Sequence, residues 1–496
     1  MHRLIKVLLS FAIFLELSCS STNAIKRSAF INPSKLASEV EKTIHSVDKS
    51  INIGILITSL ENEEIIFEKN ADRHFTPAST IKLFTLAAAL FRLGPFFRFE
   101  TKIFTDAILD NGRIKNLYIK GSGDPSLKDS DLIDLASELK QMGIVEIDGN
   151  IFVDNTIFDD NPWPEGVMWD DRSEGFGAPT TGLNLNRNRI LIKTIPQKLG
   201  ANALAILYPK TDFFKLKNKV KTVASSKNTI SWSNKNDATL NQGLSIHDSV
   251  EINGEIGANA KHHYIKVAVK DPSLLAGHYL KEQLIKEKIN IKGEVIKKAA
   301  PKNGKILTSH ISRPLSEALI DFMKISENIG IESLIKTMAA LEDKDTPGSF
   351  FKGLELVKKF LKDEVGIEEK SVMSDAAGLS RYNLVTPRQM VKLLKYVDKN
   401  FMLAPEFMTA LSIGGEDGFL KSRMKNDILR RKVRAKTGSM TGISSTAGFL
   451  YSESGRFAFA IMINGIVGSS SKYIKMQDDI LTSIFKKQDV ELAKTP

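Results

Sequence analysis

The sequence predicts an α/β (α+β) fold in which helices flank an antiparallel sheet and a long β-rich segment interrupts the domain. Three observations predict it. A strand-rich stretch precedes a run of apolar helix formers near residue 83, the region 99–307 changes to short strands between polar turns, and helical spacing returns afterwards. We therefore expect one discontinuous domain made of residues 25–98 and 308–490, with 99–307 inserted as one or two small β-rich domains.

The composition is that of a globular protein able to bury a substantial core. Of the 496 residues, 42% are hydrophobic and 26% are charged. The formal net charge of +11 predicts attraction to anions such as cell-wall polymers or lipid headgroups, although a lysine-rich, solvated surface explains the same charge. We expect no nucleic-acid partner, because the sequence contains neither zinc-finger spacing nor an aromatic–basic RNA motif.

Residues 1–24 have the layout of a signal peptide. Basic residues precede the apolar run 7–15, and small residues continue to Ala24. This run is too short to span a bilayer permanently, so we expect an exported protein of the periplasm or cell envelope. Cys19 is the single cysteine, which excludes an internal disulfide. Plain cleavage near Cys19 or Ala24 and lipid attachment at Cys19 both remain open, as does peripheral or lipid-anchored association with a membrane.

The predicted domain begins with a β-hairpin that leads into a helix. Alternating isoleucines predict a strand at 51–58, and a polar turn separates it from a second strand at 65–67. Pro77 suits the position just ahead of a helix, and the residues after Lys82 are apolar helix formers.

Periodicity also predicts the elements of the second part of the chain. Apolar stripes at 315–325, 351–361 and 473–484 recur at helical spacing, and the apolar runs 447–451 and 457–463 predict a hairpin. We expect these apolar positions to form the core rather than to contact a cofactor.

Ser79 and Lys82 are the first candidate pair of reactive groups. Their i, i+3 spacing places both on one face at the start of the helix, where backbone N–H groups lack partners. A serine needs a base to become a nucleophile, and a lysine kept neutral by burial or by a second cation can supply it. Alone the pattern is weak, since Ser-x-x-Lys arises often by chance and ordinarily means a helix cap with a solvated lysine.

Two later motifs strengthen this interpretation. Ser326 and Asn328 follow an apolar helical stripe and bring a hydroxyl and an amide to a helix end or turn. The run Lys-Thr-Gly-Ser at 436–439 stands just before the predicted hairpin, as on an edge strand. There the lysine supplies positive charge, the hydroxyls can bind a carboxylate, and the glycine allows a ligand to approach the backbone closely.

Ser-x-x-Lys, Ser-x-Asn and Lys-Thr-Gly, in this order, are the motif set of penicillin-binding proteins and β-lactamases. On these motifs the chain resembles the low-molecular-mass penicillin-binding proteins of the D-alanyl-D-alanine carboxypeptidase/endopeptidase type, the PBP4/DacB-like S13 peptidase family. The resemblance covers nearly the whole mature chain and implies a serine β-lactamase/transpeptidase-like fold. The resemblance also includes the insertion after the Ser79 helix. Five short stretches outside the three motifs match the family as well: 123–127, 169–171, 177–179, 375–383 and 417–418.

The resemblance implies a role for each motif residue. Ser79 would attack the carbonyl of the terminal D-Ala-D-Ala bond, Lys82 would take its proton, and Ser326 would relay a proton to the leaving amine. Nearby Lys436 and burial would destabilise the ammonium form of Lys82. The backbone N–H groups of Ser79 and Ser439 would form the oxyanion hole. The substrate-binding residues would be Asn328, Lys436, Thr437, Gly438 and Ser439.

The implied function is an exported serine-type D-Ala-D-Ala carboxypeptidase/endopeptidase that needs no cofactor or metal. Its partners would be peptidoglycan stem peptides ending in D-Ala-D-Ala and β-lactam antibiotics, which would leave a long-lived acyl-enzyme. The chain departs from the family pattern at positions that bear on selectivity and rate: Glu327 for aspartate, Ala376 and Ala377 for glycine and serine, Phe419 for threonine, and Met440 for leucine.

Two alternative functions remain. A β-lactamase is disfavoured by the large insertion and by the absence of a clear deacylating-glutamate motif. A non-catalytic peptidoglycan-binding scaffold is disfavoured because a scaffold has no need of the intact motif residues.

Other reactive side chains have structural interpretations. We expect four aspartates to cap turns or fix contacts between parts of the fold: Asp124, Asp170, Asp171 and Asp375. We expect the histidine doublet at 262–263 on a surface loop rather than at a zinc ion, because no His-x-x-Glu-like spacing accompanies it.

Overall fold

The computed structural model describes residues 33–224, 228–233, 248–368, 371–453 and 455–492. The predicted signal peptide lies outside these residues. Within them, no helix combines the length and the apolar composition that crossing a membrane requires.

Ten α-helices lie in the described part of the chain: α1 (Pro33–Val47), α2 (Lys82–Leu93), α3 (Asp129–Gln141), α4 (Pro272–Lys286), α5 (Leu315–Lys324), α6 (Asn328–Glu342), α7 (Phe350–Asp363), α8 (Pro387–Lys399), α9 (Ala404–Ala410) and α10 (Ser471–Leu492). The strands of the same residues are β1 (Asn52–Ser59), β2 (Ile65–Lys69), β3 (Glu100–Thr105), β4 (Arg113–Ile114), β5 (Leu117–Lys120), β6 (Glu146–Ile147), β7 (Ile151–Asp154), β8 (Arg189–Ile195), β9 (Leu204–Tyr208), β10 (Phe214–Asn218), β11 (Lys221–Val223), β12 (Ser231–Ser233), β13 (Asp248–Asn253), β14 (Glu255–Gly257), β15 (His263–Ala268), β16 (Asn290–Ile291), β17 (Val295–Lys297), β18 (Lys305–Ile311), β19 (Ser412–Ile413), β20 (Val433–Met440), β21 (Ile443–Ser452) and β22 (Gly455–Asn464).

A six-stranded antiparallel sheet joins the two ends of the chain. Its order is β19-β20-β21-β22-β1-β2, so strands from the first and last segments lie side by side. The junction is the β1–β22 pair, in which Ile55 lies opposite Ile461. Both predicted hairpins are present, as β1–β2 and β21–β22.

Strand alternation gives this sheet two buried faces. Ile53, Ile55 and Ile57 of β1 belong to a core cluster with side chains of α1 and α10. Leu56 belongs to the cluster on the other face, which includes residues of α2, α5, α6, α7 and α8. Helices therefore cover the sheet on both faces, as the predicted fold class requires.

The helix that follows Ser79 runs through the core. Every side chain of α2 from Lys82 to Leu90 is buried, and its neighbours include α6 and α7. A helix that is apolar on all sides is stable only when it is surrounded by protein. Burial of α2 thus fixes the position of the turn that precedes it.

The inserted region has sheets and a core of its own. Its largest sheet has the order β17-β7-β5-β3-β18, and two- and three-stranded sheets accompany it. The prediction of a β-rich region omits α3 and α4, although Leu132, Leu135 and Leu139 of α3 recur at helical spacing. The boundary predicted at residue 307 falls within β18, because that strand continues to Ile311 in its pairing with β3.

We predict that Phe84→Ala in α2 lowers the free energy of unfolding by about 3–5 kcal/mol, since Phe84 is fully buried and the deletion leaves a cavity. Urea denaturation followed by circular dichroism measures the change. The matched control is Phe96→Ala, at a side chain that is 82% exposed, for which we expect a change within about 0.5 kcal/mol. Equal losses in the two variants would contradict the role of α2 as a buried element.

Candidate active site

Ser79 stands on a strained turn at the entrance to α2. Ala78 has a φ of 47°, in the left-handed region that non-glycine residues seldom adopt. A 3₁₀ turn over Ala78–Ile81 then leads into α2. The predicted helix start is therefore a 3₁₀ turn, but Ser79 and Lys82 still share one face, with 2.9 Å between Lys82 Nζ and Ser79 Oγ.

Two glycines allow the backbone to pack directly against this turn. A Cβ atom on Gly438 would lie 2.9 Å from the backbone nitrogen of Ser79, and one on Gly378 would lie 2.8 Å from the same atom. The sequence predicts that Gly438 allows the close approach of a ligand. The structure shows that its close neighbour is the Ser79 turn itself, so this glycine sets the distance between β20 and the candidate nucleophile.

Lys82 is completely buried and has three hydrogen-bond neighbours. They are Ser79 Oγ at 2.9 Å, Asn328 Oδ1 at 2.7 Å and the backbone carbonyl of Ala377. A neutral amine has two hydrogens and one lone pair. If the hydrogens are donated to Asn328 and Ala377, the lone pair is directed at the hydroxyl of Ser79.

The surroundings of Lys82 lower the pKa of its amine towards neutral pH. Burial lowers the pKa of Lys82 to about 8. The carboxylates of Asp375, Glu332 and Glu327 oppose this shift because they stabilise the ammonium form. Burial is the cause of this shift, as expected, but the expected contribution of Lys436 is not found; instead, three acidic groups act in the opposite direction.

Ser326 lies between two helices in a conformation that positions its hydroxyl. Its φ is 56°, and its N–H donates to the carbonyl of Met323 at 3.2 Å. Ser326 Oγ accepts a hydrogen bond of 2.9 Å from Lys436 Nζ. The prediction of a hydroxyl at a helix end is therefore correct, and the hydroxyl is paired with the lysine of the third motif.

Asn328 is the first residue of α6 and connects Lys82 to the inserted region. Its Oδ1 accepts from Lys82, and its Nδ2 donates to the backbone carbonyl of Phe176 at 2.8 Å. An amide nitrogen carries two hydrogens, so one remains to donate to a substrate carbonyl.

Lys436 is a second buried lysine, on β20. It is 1% exposed and donates to Ser326 Oγ and, at 2.6 Å, to the backbone carbonyl of Thr437. Burial, with repulsion from Lys82, lowers the pKa of Lys436 well below its usual value. Strand β19 pairs with β20 only at Arg434 and Ala435. From Lys436 onward, β20 has no partner strand on that side among the described residues, as predicted for an edge strand.

Asp375 shapes the turn that presents the Ala377 carbonyl. Its carboxylate accepts backbone N–H groups from Gly378, Leu379 and Ser380 at 2.6–2.7 Å. The expectation that this aspartate fixes a turn is confirmed. Alanine at 377 leaves the Lys82 contact intact, because that contact uses the backbone.

Glu332 is a further residue of the site that the motifs in the sequence do not predict. It lies on α6, is 3% exposed, and accepts the N–H of Ala377 at 2.9 Å. Burial and the charge of Asp375 raise its pKa well above the usual value. The signal in the sequence was its position four residues after Asn328, which places both on one face of a helix.

The other candidates have structural roles. Glu327 forms ion pairs with Arg187 at 3.3 Å and Arg189 at 2.9 Å, both from the inserted region. Asp124 accepts from the N–H and hydroxyl of Ser126, which makes it a turn cap.

The remaining acidic and histidine candidates lie in a turn and on a strand. Asp170 and Asp171 begin a 3₁₀ turn. His263 was expected on a surface loop, but it is the first residue of β15, because it pairs with Thr194 of β8. Over the residues that the structure covers, no group of three or more His, Cys, Asp or Glu side chains could hold a metal ion.

The residues of all three motifs meet at one site in this fold. Residues 36–484 match the model of the D-Ala-D-Ala carboxypeptidase 3 (S13) family. The chain is similar to the D-alanyl-D-alanine carboxypeptidase DacB of Haemophilus influenzae, with 30% identity over 84% of this chain and 85% of that protein. It is also similar to the D-alanyl-D-alanine carboxypeptidase of Actinomadura sp. (strain R39), with 29% identity over 86% and 80%.

A solved structure supports the same relationship. The crystal structure of penicillin-binding protein 4 (DacB) from Haemophilus influenzae matches with a TM-score of 0.78 and 26% identity, over 92% of this chain and 99% of that one. The chain belongs to the D-Ala-D-Ala carboxypeptidase 3 (S13) family. The family, the fold and the class of enzyme predicted from the sequence are confirmed; the role of each site residue stays a prediction.

Proposed function

We propose that the chain is an exported serine-type D-Ala-D-Ala carboxypeptidase/endopeptidase that cleaves peptidoglycan stem peptides through a Ser79 acyl-enzyme and is inhibited by β-lactams. The observation that carries the proposal is the 2.9 Å contact between Ser79 Oγ and the buried amine of Lys82. The family and the names of its relatives support the substrate, and the layout of residues 1–24 supports export.

Acylation begins with the transfer of a proton from Ser79 to Lys82. As the proton leaves, Ser79 Oγ attacks the carbonyl carbon of the penultimate D-alanine. Negative charge then develops on the carbonyl oxygen, and the backbone N–H groups of Ser79 and Ser439 stabilise it, a contribution typically of about 3–4 kcal/mol per donor. Packing of Gly438 against the Ser79 turn supports this arrangement, because it brings the two backbones together.

Departure of the leaving group needs a proton on its nitrogen. Ser326 is suited to deliver it, since its Oγ accepts a hydrogen bond from Lys436 and its own hydrogen stays available to donate. The carbon–nitrogen bond breaks as Ser326 gives its hydroxyl proton to the departing amine. The proton that Lys82 took from Ser79 then restores the hydroxyl of Ser326, so the number of protons on the enzyme is unchanged. The hydroxyls of Thr437 and Ser439, with the amine of Lys436, would hold the terminal carboxylate of the substrate.

Hydrolysis of the ester completes the cycle. Water attacks the acyl carbon, Lys82 again accepts a proton, and Ser79 is regenerated. A β-lactam acylates Ser79 by the same first step, but its leaving group stays tethered to the acyl chain, and the adduct is long-lived.

The direct test is the release of D-alanine from a synthetic stem pentapeptide. We expect release by the wild-type chain and a loss of at least about 10³-fold in Ser79→Ala, because the nucleophile is absent. Ser130→Ala, at an exposed serine on α3, is the matched control and should retain activity. A folded wild-type chain that releases no D-alanine would favour the non-catalytic scaffold, and rapid turnover of penicillin would favour a β-lactamase.

The pH dependence of acylation tests Lys82 as the base. Only the neutral amine accepts a proton, so the second-order rate of acylation by benzylpenicillin should rise with pH and level off above the Lys82 pKa of about 8. Below that pKa the rate should fall about tenfold for each pH unit. Stopped-flow measurements from about pH 6 to pH 9 cover the transition. A rate independent of pH in a chain that stays folded would exclude Lys82 as the base.

Glu332 is expected to act as a positioning residue through the Ala377 N–H. Glu332→Ala removes the acceptor and should slow acylation by about tenfold, the value of one hydrogen bond to a buried group. Glu332→Gln keeps an oxygen acceptor and should recover most of the rate. If the two variants are equally slow, the charge of Glu332 rather than its hydrogen bond matters, and the positioning role is wrong.

A further inference from the structure

Lys336 is a fully buried lysine that the proposed reaction does not use. It lies on α6, eight residues after Asn328, and its side chain is 0% exposed. Its Nζ donates to the backbone carbonyls of Asn161 at 2.8 Å and Asp159 at 3.3 Å, and it forms an ion pair of 2.6 Å with the carboxylate of Asp159. An ammonium has three hydrogens, so these three oxygens match its full set of donors.

Two aromatic rings complete the surroundings of this ammonium. The ring centroid of Phe350 lies 4.5 Å from Nζ, and that of Phe158 lies at 5.3 Å. Burial lowers the pKa of Lys336, while the contact with Asp159 opposes the shift and favours the protonated amine. An apolar side chain would fill such a place without the cost of removing a charge from water, so the contribution of the ammonium is the direction of its contacts.

The contacts of Lys336 cross from the catalytic domain to the inserted region. Phe158 of the insertion forms a parallel bridge with Gly348, and the N–H of Asp159 donates to the carbonyl of Gly348 at 3.1 Å. A Cβ atom on Gly348 would lie 2.0 Å from the carbonyl oxygen of Lys336, so the loop before α7 packs directly on α6. Residues 158–161 are therefore fixed both to α6 and to this loop.

The chain that leaves this anchor returns to α6 at a second point. Trp163 Nε1 donates to the backbone carbonyl of Gly177 at 2.8 Å. The carbonyl of the neighbouring Phe176 accepts from Asn328 Nδ2 at 2.8 Å. Segment 159–177, which we call the strap, is thus attached to α6 at both ends, by Lys336 and by Asn328.

The two attachments connect Lys336 to the base. Eight residues of an α-helix span about 12 Å, so the anchors fix both the position and the direction of the strap along α6. Asn328 also accepts the hydrogen bond of 2.7 Å from Lys82. A continuous series of contacts therefore runs from Lys336 through the strap to Asn328 and Lys82, and such a series is a physical route for coupling.

We propose that Lys336 is a positioning residue for acylation: it holds the strap on α6 so that the carbonyl of Phe176 fixes the amide of Asn328. The fixed amide in turn orients the amine of Lys82. The proposal rests on the function proposed above. Lys336 acts through the strap and not on the reacting atoms.

Replacing the ammonium with an uncharged chain of similar length tests the anchor. Lys336→Met keeps the apolar stem between the two rings and removes the charge. The side chain of Asp159 is 35% exposed, so water can hydrate its carboxylate in the variant, and we expect the chain to fold. The second-order rate of acylation by benzylpenicillin should fall about tenfold, the value of one lost hydrogen bond. Asp159→Asn, as a second variant, keeps the backbone contacts and should slow acylation by a smaller factor.

The indole N–H resonance of Trp163 reports the position of the strap without catalysis. The chain has three tryptophans, so labelling with ¹⁵N-tryptophan gives three indole signals, and Trp163→Phe identifies the one that belongs to this residue. We expect Lys336→Met to shift this signal and to speed the exchange of its proton with solvent, because the hydrogen bond to Gly177 loosens.

The matched control is Met338→Ala, at a side chain of the same helix that is 2% exposed and belongs to the core cluster shared with α2 and α7. It removes buried volume from α6 and leaves the ammonium of Lys336 in place. We expect the Trp163 signal and the acylation rate of this variant to stay close to those of the wild-type chain.

An unchanged Trp163 signal in folded Lys336→Met would overturn the proposal, as would a shifted signal with the wild-type rate of acylation. Equal effects of Met338→Ala on both readouts would overturn it too, since a general loosening of α6 would then be the cause. If Lys336→Met does not fold, the same two readouts on Asp159→Asn decide. If the wild-type chain forms no adduct with benzylpenicillin, the proposed function is wrong, and the Trp163 signal alone decides whether Lys336 holds the strap.

Discussion

The burial of Lys82 is the constraint on which the rest of the site depends. A lysine completely removed from water loses much of its preference for the charged form, and here its pKa falls to about 8. Two of its three hydrogen-bond neighbours, Asn328 and Ala377, are acceptors, and they direct its third position at Ser79. The apolar α2 makes this possible because the helix carries the lysine into the core, and the long-range contacts of Asn328 and Ala377 then orient it.

The inserted region takes part in this constraint, since it contacts the Ser326 segment directly. The Phe176 carbonyl holds the amide of Asn328, and Arg187 and Arg189 hold Glu327. The insertion is thus coupled to Lys82 through Asn328 and to the start of α6 through Glu327.

Much of the fold could be predicted from the sequence because its signals are local. Alternation identified both hairpins, helical spacing identified α5, α7 and α10, and the i, i+3 spacing of Ser79 and Lys82 placed them together. Glu332 and its partner Ala377 could not be paired in this way, because the two are 45 residues apart and their contact depends on how α6 meets the turn formed by Asp375.

The most direct test of the account is to locate the covalent adduct formed with benzylpenicillin. The purified chain is incubated with the β-lactam, digested and mapped by mass spectrometry. The account predicts one equivalent of adduct, on the peptide that contains Ser79, and its absence when Lys82 is replaced by methionine, which matches the length of the side chain without its amine. An adduct on another residue, or an adduct on Ser79 that forms equally fast without Lys82, would contradict the claim that this buried lysine activates this serine.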